Sequence, residues 1–110
     1  MAGWFELNKS SDGQFRFTLK AGNGEVILTS ELYKAKSSAE SGIASVQSNC
    51  TVDARYERKT SSNGKAFFNL KAANSQVIGS SQMYASESSR EDGIASVKSN
   101  GTSKTIKDNA

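Results

Sequence analysis

The chain has 110 residues, of which 14 are lysine or arginine, 11 are aspartate or glutamate and none is histidine. The net charge of +3 is small for a dedicated nucleic-acid-binding domain, and a single cysteine excludes an intramolecular disulfide. This composition also excludes a Cys/His zinc site within one chain, a Ser-His-Asp triad and histidine as a general base.

The first predicted elements are two strands joined by a hairpin turn. Residues 4–9, WFELNK, and residues 14–20, QFRFTLK, both alternate apolar and polar side chains, as half-buried strands do. Asp12-Gly13 between them is a pair typical of two-residue hairpin turns. The side chains that this alternation places on the core face are Phe5, Leu7, Phe15, Phe17 and Leu19.

A third strand and a helix are predicted next. The strand lies around Val26–Leu28, after a turn at residues 21–24. Ser37 and Glu40 have the spacing of a capping box at a helix start, and Asn49 is typical of a helix end. One apolar stripe has the i, i+3, i+4, i+7 spacing of a single helix face and consists of Ala39, Gly42, Ile43 and Val46.

The same order of elements recurs 51 residues later. The octapeptide GIASVQSN, residues 42–49, returns as GIASVKSN, residues 93–100, and roughly half of the aligned positions are identical. The turn pair returns as Asn63-Gly64, and the capping box returns as Ser88 and Glu91. The chain is therefore a duplicated β-β-β-α unit of about fifty residues.

This duplication predicts an α+β fold with pseudo-twofold symmetry. Residues 1–52 form the first repeat, and residues 53–110 form the second, which ends with an additional strand. A three-stranded unit with one helix is marginally stable alone, so we expect the repeats to form a single compact domain. The expected architecture is one antiparallel sheet that two helices cover on one face.

Two repeated residue types favour packing roles. Gly42 and Gly93 lie in the apolar helix stripes, where glycine costs about 1 kcal/mol relative to alanine, which favours close approach of helix to sheet. Tyr33 and Tyr84 precede the helices, where a ring can pack while its hydroxyl stays in water. Contact of these tyrosines with a ligand is the alternative.

These motifs resemble those of the YegP family of small bacterial duplicated-repeat proteins of unknown function. The similar segments are GNGEVI at residues 22–27, SELY at residues 30–33 and SSAESGIASV at residues 37–46, with their second copies. The resemblance implies two β-β-β-α-β units merged into one sheet, with the C-terminal strands exchanged between units. It places the last strand at Thr102–Lys107 and makes Thr51–Lys59 the end of one unit and the start of the next. It implies no activity.

The sequence predicts a non-enzymatic interaction or accessory module. No set of residues has the pattern of a catalytic, cofactor or metal site, and Cys50 follows a helix C terminus, whose dipole disfavours a thiolate. The N-terminal segment is unlike a secretory signal, and no apolar run approaches the roughly 20 residues that span a bilayer. We therefore expect a cytoplasmic monomer with an internal pseudo-dimer, an unknown protein partner and no membrane contact.

The candidate binding surface is the sheet face opposite the helices. Its proposed residues are Arg16, Lys20, Phe67 and Lys71. Phe67 occupies the place of Arg16 in the second repeat, where it either anchors a partner or is covered by the exchanged strand or a neighbouring loop. Weak nucleic-acid binding, with Tyr56 and Phe67 stacking on bases, is the first alternative, although interspersed acidic residues disfavour it. Binding of a small ligand is the second.

Overall fold

The computed structural model describes residues 3–110 and contains one seven-stranded sheet with two helices on one face. The first repeat supplies β1 (Trp4–Lys9), β2 (Phe15–Lys20), β3 (Val26–Ser30) and α1 (Lys36–Asn49). The second repeat begins with a 3₁₀ turn at Asp53–Arg55. That repeat supplies β4 (Tyr56–Thr60), β5 (Ala66–Lys71), β6 (Val77–Ser80), α2 (Glu87–Asn100) and β7 (Ile106–Asp108).

The two repeats meet at the centre of the sheet. The strand order is β4-β5-β6-β3-β2-β1-β7, so the two antiparallel meanders join where β3 lies beside β6. Only two residue pairs make this joint, with Thr29 opposite Ser80 and Ser30 opposite Gly79. The arrangement confirms the predicted α+β fold of two repeats related by an approximate twofold axis.

The last strand makes the sheet mixed, whereas we expected a fully antiparallel one. β7 runs parallel to β1, at the far side of the first repeat. The reason is visible at Asn100, the last residue of α2, whose side-chain oxygen accepts a hydrogen bond from the Gly3 N–H at 2.8 Å. The chain leaving α2 therefore enters the sheet beside the start of β1 and continues in the same direction.

The exchange of strands that the resemblance implies is found on one side of the sheet only, where β7 of the second repeat pairs with β1 of the first, whereas β4 forms the other edge. The strands are also shorter than expected. β7 covers three residues, not the whole of Thr102–Lys107, and extends one residue beyond it. In the Thr51–Lys59 segment, strand structure begins only at Tyr56, because the Asp53 carbonyl accepts a hydrogen bond from the Tyr56 N–H and closes a 3₁₀ turn there.

The core lies between the sheet and the helices. All four residues of the predicted α1 stripe are buried, and so are Ile94 and Val97 of α2. The buried aromatic rings of the two halves pack in the same way, with Phe17 edge-on to Phe5 at 6.0 Å and Phe68 edge-on to Tyr56 at 5.6 Å. The largest fully buried side chains are Phe5, Leu7, Phe17, Leu19, Leu28, Ile43, Val46, Cys50, Phe68, Leu70 and Val97.

The predicted capping boxes are wrong. Ser37 and Ser88 lie inside the first turns, because the helices begin at Lys36 and Glu87. In α2 the capping residue is Ser86, whose hydroxyl accepts a hydrogen bond from the Ser89 N–H at 3.1 Å. The serine-rich segments before both helices allowed more than one starting residue, and the S-x-x-E pattern selected the wrong one.

Candidate functional site

We call the sheet face opposite the helices the outer face. The helices pack on the opposite face, and within residues 3–110 no helix covers the outer one. Strand register aligns one polar side chain from each strand across its middle, and we call this set the central row. From β4 to β7, the central row is Glu57, Asn69, Ser80, Thr29, Thr18, Glu6 and Lys107.

Two ion pairs related by the pseudo-twofold axis lie near the two ends of this row. Lys20 contacts Glu6 at 3.1 Å, and Lys71 contacts Glu57 at 2.9 Å. The Trp4 indole N–H and the Lys20 ammonium lower the pKa of Glu6 by hydrogen bonding. Lys71 and the Asn69 side chain lower the pKa of Glu57 in the same manner. Both carboxylates are therefore ionised at neutral pH and neutralise their lysines.

The four predicted site residues all belong to strands of the outer face but do not converge on one point. Arg16 and Lys71 lie at one end of the strands, and Lys20 and Phe67 lie at the other. β2 and β5 are three strand spacings apart, roughly 14 Å. The four side chains frame the central row, an arrangement suited to a broad contact rather than to a small enclosed ligand.

The outer face carries the whole excess of positive charge. It holds five basic side chains, from Arg16, Lys20, Lys59, Lys71 and Lys107, and only two acidic ones, both in the central row. Of the 14 basic and 11 acidic residues in the sequence, this leaves nine of each elsewhere, which cancel.

The aromatic residues of the nucleic-acid hypothesis are not placed as it requires. Tyr56 is buried, and its hydroxyl donates a hydrogen bond to the Cys50 carbonyl at 2.5 Å, so its ring cannot stack on a base. Phe67 is half-buried opposite Lys59. The exchanged strand β7 does not cover Phe67, contrary to one of our two expectations, because β7 lies at the opposite edge of the sheet.

Trp4 is an outer-face residue that we did not single out from the sequence. Its indole N–H donates to Glu6 at 2.8 Å, and the Lys107 ammonium lies 4.4 Å from the ring centroid. The alternation of WFELNK already predicted that Trp4 and Phe5 lie on opposite faces of the strand, so the pattern was enough to place Trp4 on the outer face. Its partner Lys107 comes from β7, which the pattern alone did not align with β1.

The helix side carries two equivalent clefts. We call them the Tyr33 cleft and the Tyr84 cleft, and their volumes are about 280 and 240 Å³. Each combines the tyrosine and helix of one repeat with the hairpin turn of the other repeat. The Tyr33 cleft is lined by Glu31, Tyr33, Ser38, Ser41, Gly42, Ser45, Ala72, Asn74, Gln76, Val77 and Ile78. The Tyr84 cleft is lined by Ala21, Asn23, Glu25, Ile27, Gln82, Tyr84, Ser89, Asp92, Gly93 and Ser96.

Repeated tyrosine–glycine contacts shape these clefts. A Cβ atom on Gly42 would lie 2.7 Å from the Tyr33 hydroxyl, and one on Gly93 would lie 2.2 Å from the Tyr84 hydroxyl. The predicted close approach is therefore real, but at its closest it is made by a tyrosine side chain. The Tyr33 ring stacks on Phe17 at 6.4 Å, which supports the packing role predicted for it.

The tyrosine hydroxyls of the clefts lie against the helix glycines. Among the tyrosine hydroxyls of residues 3–110, only that of Tyr56 donates a hydrogen bond within the protein. Burial, with a smaller contribution from the Glu31 carboxylate, raises the pKa of Tyr33, so this hydroxyl is a protonated donor at neutral pH. Neither cleft is lined by lysine or arginine. Their chemistry therefore suits a small polar ligand without negative charge.

The remaining chemistry concerns the Cys50 thiol, the possible metal ligands and the lengths of the helices. Cys50 is fully buried, and this burial raises the pKa of its thiol. Across the described part of the chain, histidine, cysteine and acidic residues form no cluster able to hold a metal ion. No helix within residues 3–110 is long and apolar enough to cross a bilayer.

A family model described as "Domain of unknown function (DUF1508)" matches the chain twice, over residues 10–57 and 61–108. The chain belongs to the DUF1508 family. DUF1508 relatives include UPF0339 protein YegP of Escherichia coli (strain K12), which is 75% identical over 109 residues, with 99% of each chain covered. A UPF0339 protein of Shewanella oneidensis is 61% identical over 108 residues, with 98% of each chain covered.

Solved structures of two DUF1508 relatives have the same fold. The solution NMR structure of yegP from E. coli gives a TM-score of 0.95 at 75% identity, covering 99% of this chain and 94% of that one. The solution NMR structure of a UPF0339 protein from Shewanella oneidensis gives 0.93 at 61% identity, covering 98% and 92%. The resemblance drawn from the repeated motifs is confirmed, and the names of these relatives assign no activity.

Proposed function

We propose that the protein is a non-enzymatic binding module that holds an acidic protein partner on its outer face. The observation that carries this proposal is the concentration of the entire net charge of +3 on one uncovered sheet face. Complementary charge steers association and selects partners. A second copy is a poor partner, because two such faces would bring the same excess charge together. The single unpaired thiol suits the cytoplasm as the place of binding.

The arrangement of aromatic residues favours a protein over a nucleic acid. Sequence-independent binding of single strands relies on exposed rings on which successive bases stack. On the outer face, the Trp4 ring is already covered by the Lys107 ammonium, and Phe67 is half-buried. The central row instead offers hydroxyl and amide groups, such as those of Thr18 and Asn69, which suit the polar groups of a polypeptide.

NMR titration with a glutamate-rich peptide tests the proposal. We expect the largest amide shifts in the β2 and β5 strands. Reversing the charge of exposed Arg16, by Arg16→Glu, is expected to weaken binding about fivefold, the effect of one surface charge interaction of about 1 kcal/mol. Lys34→Glu makes the same change in charge in the exposed segment before α1, on the helix side, and is expected to leave the affinity unchanged.

Two results would contradict the outer-face proposal. One is equal weakening by Arg16→Glu and Lys34→Glu, which would show that only the overall charge of the protein matters. The other is tighter binding of a single-stranded or duplex oligonucleotide than of the peptide, with affinity falling as salt rises and Arg16→Glu reducing the salt dependence. That outcome would favour the nucleic-acid alternative.

The paired clefts favour a second candidate function, the binding of a small polar ligand. Seven of the ten lining positions that correspond between the clefts carry the same residue in both, including the tyrosine and the glycine. In an NMR screen of small polyols and amines, we expect a true ligand to shift amides of Gly42 and Gly93 together. Tyr33→Phe is expected to abolish the shift at Gly42 only. If the ligand-induced amide shifts of Gly42 and Gly93 are the same in Tyr33→Phe, in Tyr84→Phe and in the unmodified chain, the clefts are not the binding sites.

A further inference from the structure

β7 is a weakly held strand on a well-formed edge. Its three residues are all exposed, and even Ile106 is 45% exposed. The neighbouring strand β1 is anchored in the core by contrast, because its side chains Phe5 and Leu7 are fully buried. Short terminal segments with exposed side chains open most readily. Release of β7 would therefore bare the backbone edge of β1 without disturbing the core.

The contacts of β7 define what the edge of β1 recognises. The Phe5 N–H donates to the Thr105 carbonyl at 2.9 Å, and the Asn109 N–H donates to the Leu7 carbonyl at 2.8 Å. These two backbone bonds bracket the strand and fix its direction parallel to β1. Any extended segment in the same register would make them, since they use only backbone groups.

Two side-chain contacts add a charge pattern to this edge. Lys107 lies over the Trp4 ring and opposite Glu6, on the outer face. Asp108 points to the helix side and meets the Lys36 ammonium of α1 at 2.6 Å. Both contacts are exposed to solvent, where such pairs contribute little to stability. The edge of β1 therefore favours a segment with an apolar, a basic and an acidic residue in succession. β7 has this order of residues, but its side chains bind the edge only weakly.

We propose that the edge of β1 is a docking site for an extended segment of a partner protein, and that β7 occupies the edge until the partner displaces it. The partner segment runs parallel to β1 and carries the order apolar–basic–acidic against Phe5, Glu6 and Lys36. This site goes beyond the outer-face proposal, because it recognises a strand through backbone groups at the rim of the sheet. A tethered β7 acts as a competitor at high local concentration, so partner binding stays weak until β7 is loosened.

The full-length chain and a synthetic octapeptide with the sequence of residues 103–110 test this proposal. A fluorophore on the N terminus of the peptide reports its binding by fluorescence anisotropy, whether or not β7 occupies the edge. Asp108→Lys places a second cation beside Lys36 and loosens β7. We expect this variant to bind the peptide about tenfold more tightly than the unmodified chain does. Asn109→Pro removes the N–H that bonds the Leu7 carbonyl and is expected to act in the same direction.

Two controls separate the edge from general charge effects. Glu87→Lys makes the same change in charge at an exposed position of α2, away from β7, and is expected to bind the peptide as the unmodified chain does. A peptide in which the residues corresponding to Lys107 and Asp108 are exchanged is expected to lose most of its affinity for the Asp108→Lys variant. Equal affinity of the two peptides would overturn the proposed recognition.

The other outcomes decide against the proposal. If Asp108→Lys and Asn109→Pro bind the peptide no better than the unmodified chain, β7 is not a competitor and the proposal fails. If either variant sediments as a dimer, the β7 of a second copy fills the edge, and the partner segment proposed here is replaced by self-association.

Discussion

Replacing Phe17 by alanine is expected to lower the free energy of unfolding by about 3–5 kcal/mol and to destabilise both repeats together. The ring is fully buried, packs edge-on to Phe5 and stacks on Tyr33. It belongs to one contiguous apolar cluster that also contains Phe68 and Ile94 of the second repeat. A cavity at Phe17 therefore weakens a core on which residues 1–52 and 53–110 both depend, in line with our proposal that they form a single domain.

Urea unfolding observed with two probes checks this result. Trp4 fluorescence reports the first repeat, and NMR amide signals of β5 report the second. We expect one shared midpoint, lowered equally by Phe17→Ala and by its counterpart Phe68→Ala. Phe67→Ala, on the outer face, is the control and is expected to cost about 1 kcal/mol, because its ring is only half-buried. If Phe17→Ala shifts the Trp4 transition while β5 keeps its original midpoint, the repeats fold independently and the single-domain proposal is wrong.

Replacing Gly79 by leucine is expected to cost about 3 kcal/mol, although the first repeat carries leucine at the corresponding position, Leu28. A Cβ atom on Gly79 would lie 2.8 Å from the Thr29 carbonyl oxygen and 3.1 Å from the Leu28 side chain. These atoms belong to β3, so the added side chain would push apart the strands that join the repeats. Two leucines cannot both occupy the joint, and glycine in one repeat makes room for leucine in the other.

Thermal unfolding checks the Gly79→Leu prediction, with an expected fall in Tm of roughly 10–20 °C. Ser75→Gly is the matched control, since it too replaces a second-repeat residue with its counterpart, Gly24. Ser75 has a φ of 71°, a left-handed conformation that costs a side chain about 1–2 kcal/mol. Ser75→Gly is therefore expected to leave stability unchanged or raise it slightly. A Gly79→Leu variant as stable as the unmodified chain would show that the joint repacks freely.

Sequence periodicity predicted those elements that have one face in the core and one in water. The alternation of WFELNK and QFRFTLK predicted β1 and β2, and the spacing of Ala39, Gly42, Ile43 and Val46 predicted the buried stripe of α1. β7 differs because its three residues are all exposed and leave no periodic signal. Its position and direction depend on a contact between Asn100 and Gly3, at opposite ends of the chain, which a local pattern cannot contain.

The two candidate sites also differed in how far the sequence could predict them. Strand alternation placed Arg16, Lys20, Phe67 and Lys71 on strands of the outer face, because alternation decides which side of a sheet a residue occupies. Strand alternation could not predict the clefts. Tyr33 meets Asn74 and Gln76 only after the twofold axis has brought the hairpin turn of the other repeat beside α1. The repeated tyrosines and glycines were visible in the sequence, but their shared surroundings were not.

The composite lining of the clefts has a thermodynamic consequence. A molecule seated beside Tyr84 touches α2 and also the hairpin turn around Asn23, so it acts as a tie between parts of the fold that unfolding would separate. Its affinity for the folded state adds directly to the resistance of the whole chain to heat. A melting-temperature shift is thus a sensitive way to find such a molecule, even one that binds only modestly.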